Sequence, residues 1–142
     1  MDEALNAAPN PSHQTLVAEF LDRFGRERNL TLPPLSPEGV GSVQRGTAIV
    51  TIHVLAEKNI LLLLARITEQ PKLDEARARR LLTMSFVETG DAAFALHPQT
   101  GDLYLRILRG LDGLDYEEFE DLVDSIAKTA DRWDDKLAAE LA

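Results

Sequence analysis

The sequence predicts an α+β fold with the element order α-β-β-β-α-β-β-α, in which helices flank a twisted, mainly antiparallel sheet. Three observations carry that expectation. Apolar residues recur at helical spacing in three stretches, near the start, in the middle and at the end. Between those stretches lie β-branched or continuously apolar runs bounded by turn residues. The turns between successive runs are mostly short, as in hairpins.

Residues 1–11 hold Ala, Asn and Pro without periodicity and predict a mobile tail, leaving 12–142 as a single domain. Ser12 is placed to cap a helix over 13–28, whose apolar face is Leu16, Val17, Phe20, Leu21 and Phe24. Three prolines in "TLPPLSPEG" at 31–39 end it. A short strand at 40–44, the turn "RGT" and a β-branched strand "AIVTIHVL" at 48–55 follow. The turn "AEKN" leads to "ILLLLARI" at 60–67, apolar on both faces and in need of cover on both.

A second helix is expected over 74–88 with Asp74 as its cap. Ala78, Leu81, Leu82, Ser85 and Phe86 share one arc and Met84 widens it. So wide an arc fits either a deeply buried core helix or one packed on two sides. After Gly90, Ala92–Leu96 and Leu103–Leu108 form a hairpin around Pro98, Gln99, Thr100 and Gly101. In the last helix, Asp115 and Glu118 match a capping box. Phe119, Leu122, Val123, Ile126, Ala130, Trp133 and Leu137 form its apolar stripe.

Charge and composition bound the function. The chain has 142 residues, a net charge of −9 and no cysteine, which excludes disulfides, thiol nucleophiles and thiolate metal sites. Residues 112–142 hold eleven acids against three bases, so nearly all the excess sits in the last helix and the linker before it. Such a field repels phosphate backbones, and no nucleic-acid partner is expected. No apolar run reaches the ~18 residues of a membrane span, so no membrane insertion is expected. The N-terminus carries acids where a secretion signal is basic, and the expected compartment is the cytoplasm.

Motifs for chemistry are weak, and no catalytic residue, metal or cofactor is predicted. His13, His53 and His97 form no ligand pair. Ser125 and Lys128 fit a Ser-x-x-Lys pattern, but its companion motifs are missing and Lys128 lies opposite the apolar stripe. "GVGSVQRG" at 39–46 lacks the glycine spacing of a dinucleotide loop. The Asn29-Leu30-Thr31 sequon needs a secretory route for use. The acids of the last helix sit on a solvent-facing arc, where nothing drives their pKa values apart.

Residues 95–141, "ALHPQTGDLYLRILRGLDGLDYEEFEDLVDSIAKTADRWDDKLAAEL", resemble the C-terminal half of the class I type III secretion chaperones, the family that includes the Tir chaperone. The likeness lies in a Pro-x-Thr-Gly hairpin turn, a Leu-Asp-Gly-Leu linker and a final amphipathic helix bearing a Trp. The first helix ending in "LPPLSPEG", the "ILLLLARI" strand and the second helix extend it to most of the chain after residue 12. The resemblance implies a homodimer that holds the N-terminal chaperone-binding segment of one secreted effector protein, without nucleotide.

Carried onto this sequence, the resemblance puts Ala78, Leu81, Leu82, Phe86, Phe94, Leu96 and Leu105 at the dimer interface. It puts effector contact on the exposed strand faces at Ile49, Thr51, Leu61 and Leu63 and on the helix flank at Leu16 and Phe20. Two alternatives stay open at this point. One is a regulatory adaptor of the same fold that binds a secretion-system component or a transcription regulator; the other is a small carboxylate-dependent enzyme.

Overall fold

The computed structural model describes residues 11–142; apart from Pro11, the expected tail at 1–11 lies outside the described residues. The elements run α1 (Pro11–Glu27), β1 (Val40–Arg45), β2 (Ala48–Leu55), a single 3-10 turn, β3 (Ile60–Thr68), α2 (Glu75–Met84), β4 (Ala93–Leu96), β5 (Leu103–Gly110) and α3 (Tyr116–Glu140). The five strands form one antiparallel sheet in the order β1-β2-β3-β5-β4. Only the step from β3 to β5 leaves sequence order, because β4 folds back along the far side of β5 as the outer arm of the hairpin.

Register decides which side chains face inward. Val50 pairs with Ala65, Ile52 with Leu63 and Val54 with Leu61, and all six are buried. Leu63 in turn pairs with Ile107 and Ala65 with Leu105, which carries the same buried row across to β5. The helix α3 covers this face. Its 25 residues span about 37 Å, enough to run beneath several strands, and it touches β1, β2, β3 and β5. Phe119, Leu122, Val123, Ile126, Ala130, Trp133 and Leu137 are all buried, as the stripe predicts.

Helix α1 joins through its rings. The Phe20 ring lies 5.6 Å from that of Phe119 and 5.8 Å from that of Tyr116, and Phe24 meets Phe119 edge-on at 6.4 Å. As described, the helix runs from Pro11, so Ser12 lies within its span and not before it. Close approach is demanded at Gly41, where a Cβ would come within 2.9 Å of Leu21 Cδ2.

The other caps form as expected, with one difference. Asp74 accepts from the Arg77 N–H and Asp115 from the Glu118 N–H, each at 2.8 Å. The Glu118 carboxylate instead faces Arg109 Nε at 3.5 Å. Helix α2 stops at Met84, four residues short of expectation. The Thr83 and Ser85 hydroxyls donate back to the carbonyls of Arg79 and Leu81, both at 2.8 Å, and Ser85 Oγ accepts from the Phe94 N–H at 3.0 Å. The serine thereby ties the end of the helix to strand β4.

Four expected surface residues are core residues. Leu61 and Leu63 lie on the sheet face that α3 covers and are wholly buried, so they offer nothing to a partner. The four leucines of β3 are apolar on both faces, and its pairing with Val54 and Ile52 sets Leu61 and Leu63 inward. Leu105 is wholly buried by its pairing with Ala65, and Leu81 with Met84 forms the buried side of α2.

Candidate partner-binding site

Among the described residues, two apolar surfaces remain uncovered. The first is the outer face of the sheet, where Ile49, Thr51 and His53 of β2 stand in a row beside Leu62 and Leu64 of β3. Tyr104, Arg106 and Leu108 of β5 continue it, since Leu64 pairs with Arg106 and Leu62 with Leu108. All are half-buried or exposed, with Ile49 at 53% of full exposure. Ile49 and Thr51 thus sit where the sequence puts them, and Leu62 and Leu64 take the places expected of Leu61 and Leu63.

At one end this face deepens into a hollow of about 670 Å³. Ile49, Thr51, Leu64 and Tyr104 supply much of its lining, and Asp134, Asp135 and Ala138 from the last turns of α3 form one wall. His53 Nε2 lies 3.0 Å from Thr51 Oγ1, and burial among these neighbours lowers its pKa.

The second surface is a groove of about 290 Å³ between α2 and the sheet's edge strand β4. Leu73, Ala78, Leu81, Leu82, Phe94 and Leu96 line it. Leu82 is 71% exposed and Phe86, one turn on, 88% exposed, while Leu81 and Met84 on the opposite side of the helix are buried. Helix α2 therefore packs inward along one side and leaves a second apolar side bare, which favours the two-sided alternative. Phe94 is half-buried against the core beneath this groove.

Beside these, Leu16 and Phe20 are half-buried on α1, with Phe20 held in its ring cluster. Next to α1 runs a trough of about 420 Å³, with Leu21, Gly25, Leu30, Leu32 and Leu35 among its lining.

Several polar groups are spent on structure. Arg28 reaches Asp124 at 2.7 Å and Glu120 at 2.9 Å. Burial works to lower its pKa, but the Glu120 hydrogen bond and the Asp124 charge outweigh that and raise it. Buried His13 sets Nε2 3.3 Å from Asp112, and His97 Nδ1 accepts from the Gln99 and Thr100 N–H groups in the hairpin turn. Ser125 is half-buried and Lys128 exposed. Among the described residues, no group of His, Asp or Glu is placed to hold a metal ion, and no helix is long and apolar enough to cross a membrane.

An open antiparallel sheet is thus backed by a long acidic helix and leaves apolar side chains exposed on its outer face and beside its edge strand. The family model described as "Tir chaperone protein (CesT) family" matches residues 19–134. The chain belongs to the Tir chaperone protein (CesT) family. That membership makes it a chaperone rather than a carboxylate-dependent enzyme. Solved structures of similar shape include a chain of the ExsC-ExsE complex, 26% identical with a TM-score of 0.72, covering 87% of this chain and 95% of that one.

A chain of the HopA1-SchA chaperone-effector complex has a TM-score of 0.70 at 13% identity, over 89% of this chain and 99% of that one. A chain of the heterodimeric ExoU-SpcU complex from the type III secretion system of Pseudomonas aeruginosa has a TM-score of 0.62 at 18% identity, over 85% and 97%. At those identities the latter two share the fold. No curated protein matches the sequence.

Sequence reasoning missed His53, Leu62, Leu64, Tyr104 and Leu108 as surface residues, although two charges mark their face. Arg66 lies in phase with Leu62 and Leu64, and Arg106 in phase with Tyr104 and Leu108. A charged side chain on a strand points to water, so the even-numbered positions of both strands face outward.

Proposed function

We propose that this CesT-family protein is a cytoplasmic type III secretion chaperone that acts as a homodimer, holding the N-terminal segment of an effector in a soluble, secretion-competent form without nucleotide. The observation that carries this is the family match over residues 19–134, joined to an apolar outer sheet face that the protein's own helices leave open. An extended client seats alternate side chains on that face and along the flank of α1 at Leu16 and Phe20, and β1 as an edge strand offers main-chain hydrogen bonds.

Ordering a disordered client costs conformational entropy, so a broad contact is required. A two-fold dimer doubles the area on offer. The groove at Ala78, Leu82 and Leu96 is the surface suited to that dimer, because Leu82 in its lining and Phe86 just beyond it are the most exposed large apolar side chains among the described residues.

The test is co-expression with the N-terminal hundred or so residues of an effector encoded beside this chain, followed by mass measurement of the purified complex. Two copies of this protein with one client segment is the expected result. A neighbouring effector segment that stays insoluble and unbound in the presence of this protein overturns the proposal.

A further inference from the structure

We propose that the hollow at the Thr47 end of the outer sheet face selects a cationic client: an extended segment with an apolar residue seated on Ile49, Thr51 and Leu64, followed by a lysine or arginine held at Asp134 and Asp135. This rests on the chaperone function proposed above and specifies the client chemistry that one part of the surface prefers.

The charges lining the hollow are unbalanced. Its one arginine or lysine, Arg66, is already paired with Glu69 at 3.2 Å, while Asp134 and Asp135 stand on the other wall. Asp134 Oδ2 lies 2.9 Å from Thr47 Oγ1, which is also 2.7 Å from Asp131 Oδ1. A threonine hydroxyl has one proton, so it serves one carboxylate and turns a lone pair to the other. The shorter contact, and the Thr47 N–H that reaches the same Asp131 oxygen at 3.3 Å, mark Asp131 as the one that is served.

Asp134 keeps one good donor, the Asp135 N–H at 2.7 Å on its other oxygen. The Asp135 carboxylate has no ion-pair partner among the described residues. The cations nearest in sequence, Arg132 and Lys136, each lie 5.2 Å over the Trp133 ring. Two carboxylates thus border a largely apolar floor, and among the described residues the one arginine or lysine of the lining is already paired with Glu69. A client residue that covers the floor also lowers the local dielectric, which strengthens attraction to an ammonium or guanidinium beside it.

The test uses dye-labelled dodecapeptides of alternating leucine and serine, with Lys, Gln or Glu scanned through the serine positions and binding read by fluorescence anisotropy. At one register, Lys is expected to bind about fivefold tighter than Gln, and Glu weakest, at low ionic strength. High salt should shrink that order. The Asp134→Asn/Asp135→Asn double variant should abolish it, and Asp135→Lys should invert it in favour of Glu.

An order that survives the double variant, or no preference at any register, overturns the inference. So does failure of every peptide to bind while the client complex forms. In each of these cases the client complex of the co-expression experiment still stands, so the selectivity fails without the chaperone function. Absence of that complex is the separate result that removes both.

Discussion

The Tyr116 hydroxyl donates a hydrogen bond to Glu27 Oε1 across 2.9 Å, joining the first turn of α3 to the last turn of α1. Arg23 serves both residues, bonding Glu27 Oε2 at 2.9 Å and lying 4.0 Å over the Tyr116 ring. The Arg23 hydrogen bond, then that of Tyr116, lowers the Glu27 pKa. Burial, then the bond to Glu27, raises the Tyr116 pKa. These three side chains clamp the two helices together at the mouth of the ring cluster.

The clamp is readable by alkaline titration of tyrosine absorbance. Tyr116 is expected to ionise above the ordinary value near 10. Glu27→Gln should bring that midpoint down part of the way only, because burial, the larger cause, remains. A midpoint unmoved by Glu27→Gln means that the bond is not made in solution.

Adjacent leucines of β3 should differ sharply in urea unfolding. Leu63 is wholly buried between Ile52 and Ile107, and Leu63→Ala is expected to cost about 2–5 kcal/mol. Leu62 faces outward and is half-buried, so Leu62→Ala should cost under about 1 kcal/mol while weakening client binding. Similar losses for the two would mean that the register of the strand is other than described.

Phe86→Glu separates fold from assembly. The side chain is 88% exposed, so the thermal midpoint of the protomer should barely move. Light scattering should show the mass falling from dimer to monomer as a charge enters the bare side of α2. A wild-type protein of monomer mass at micromolar concentration defeats the dimer.

His53 predicts a loss of stability on the acid side. Its pKa in the folded protein lies below the unfolded value because burial disfavours the charged ring. The folded state therefore binds fewer protons, and the stabilisation is full above about pH 6.5 and is lost as pH falls through the lowered pKa. His53→Gln should flatten the urea midpoint between pH 7 and 5. The same slope in variant and wild type would assign it to other groups.

Much of this fold was legible in the sequence, and the reasons are specific. The α3 stripe from Phe119 to Leu137 is buried as its period demands, and Asp74 and Asp115 cap where they should, because these signals are local. The inward face of β3 was missed because its four leucines show no alternation, and the one polar mark of the run, Arg66, stands near its end. The end of α2 was missed because the Ser85 bond to Phe94 spans a loop that no local pattern foresees. The bare ridge at Leu82 and Phe86 was legible as surplus apolar width, and what covers it was not, because that depends on a second molecule.

Strand β3 also has a history before the protein is complete. Its buried row waits for Leu105 and Ile107, which the ribosome adds about forty residues later, and for α3, which comes last. Until then "ILLLLARI" is a β-prone, apolar stretch with a free edge in a nascent chain, the kind of segment that pairs with copies of itself. A molecule built to keep other chains from clumping thus carries that same hazard during its own synthesis.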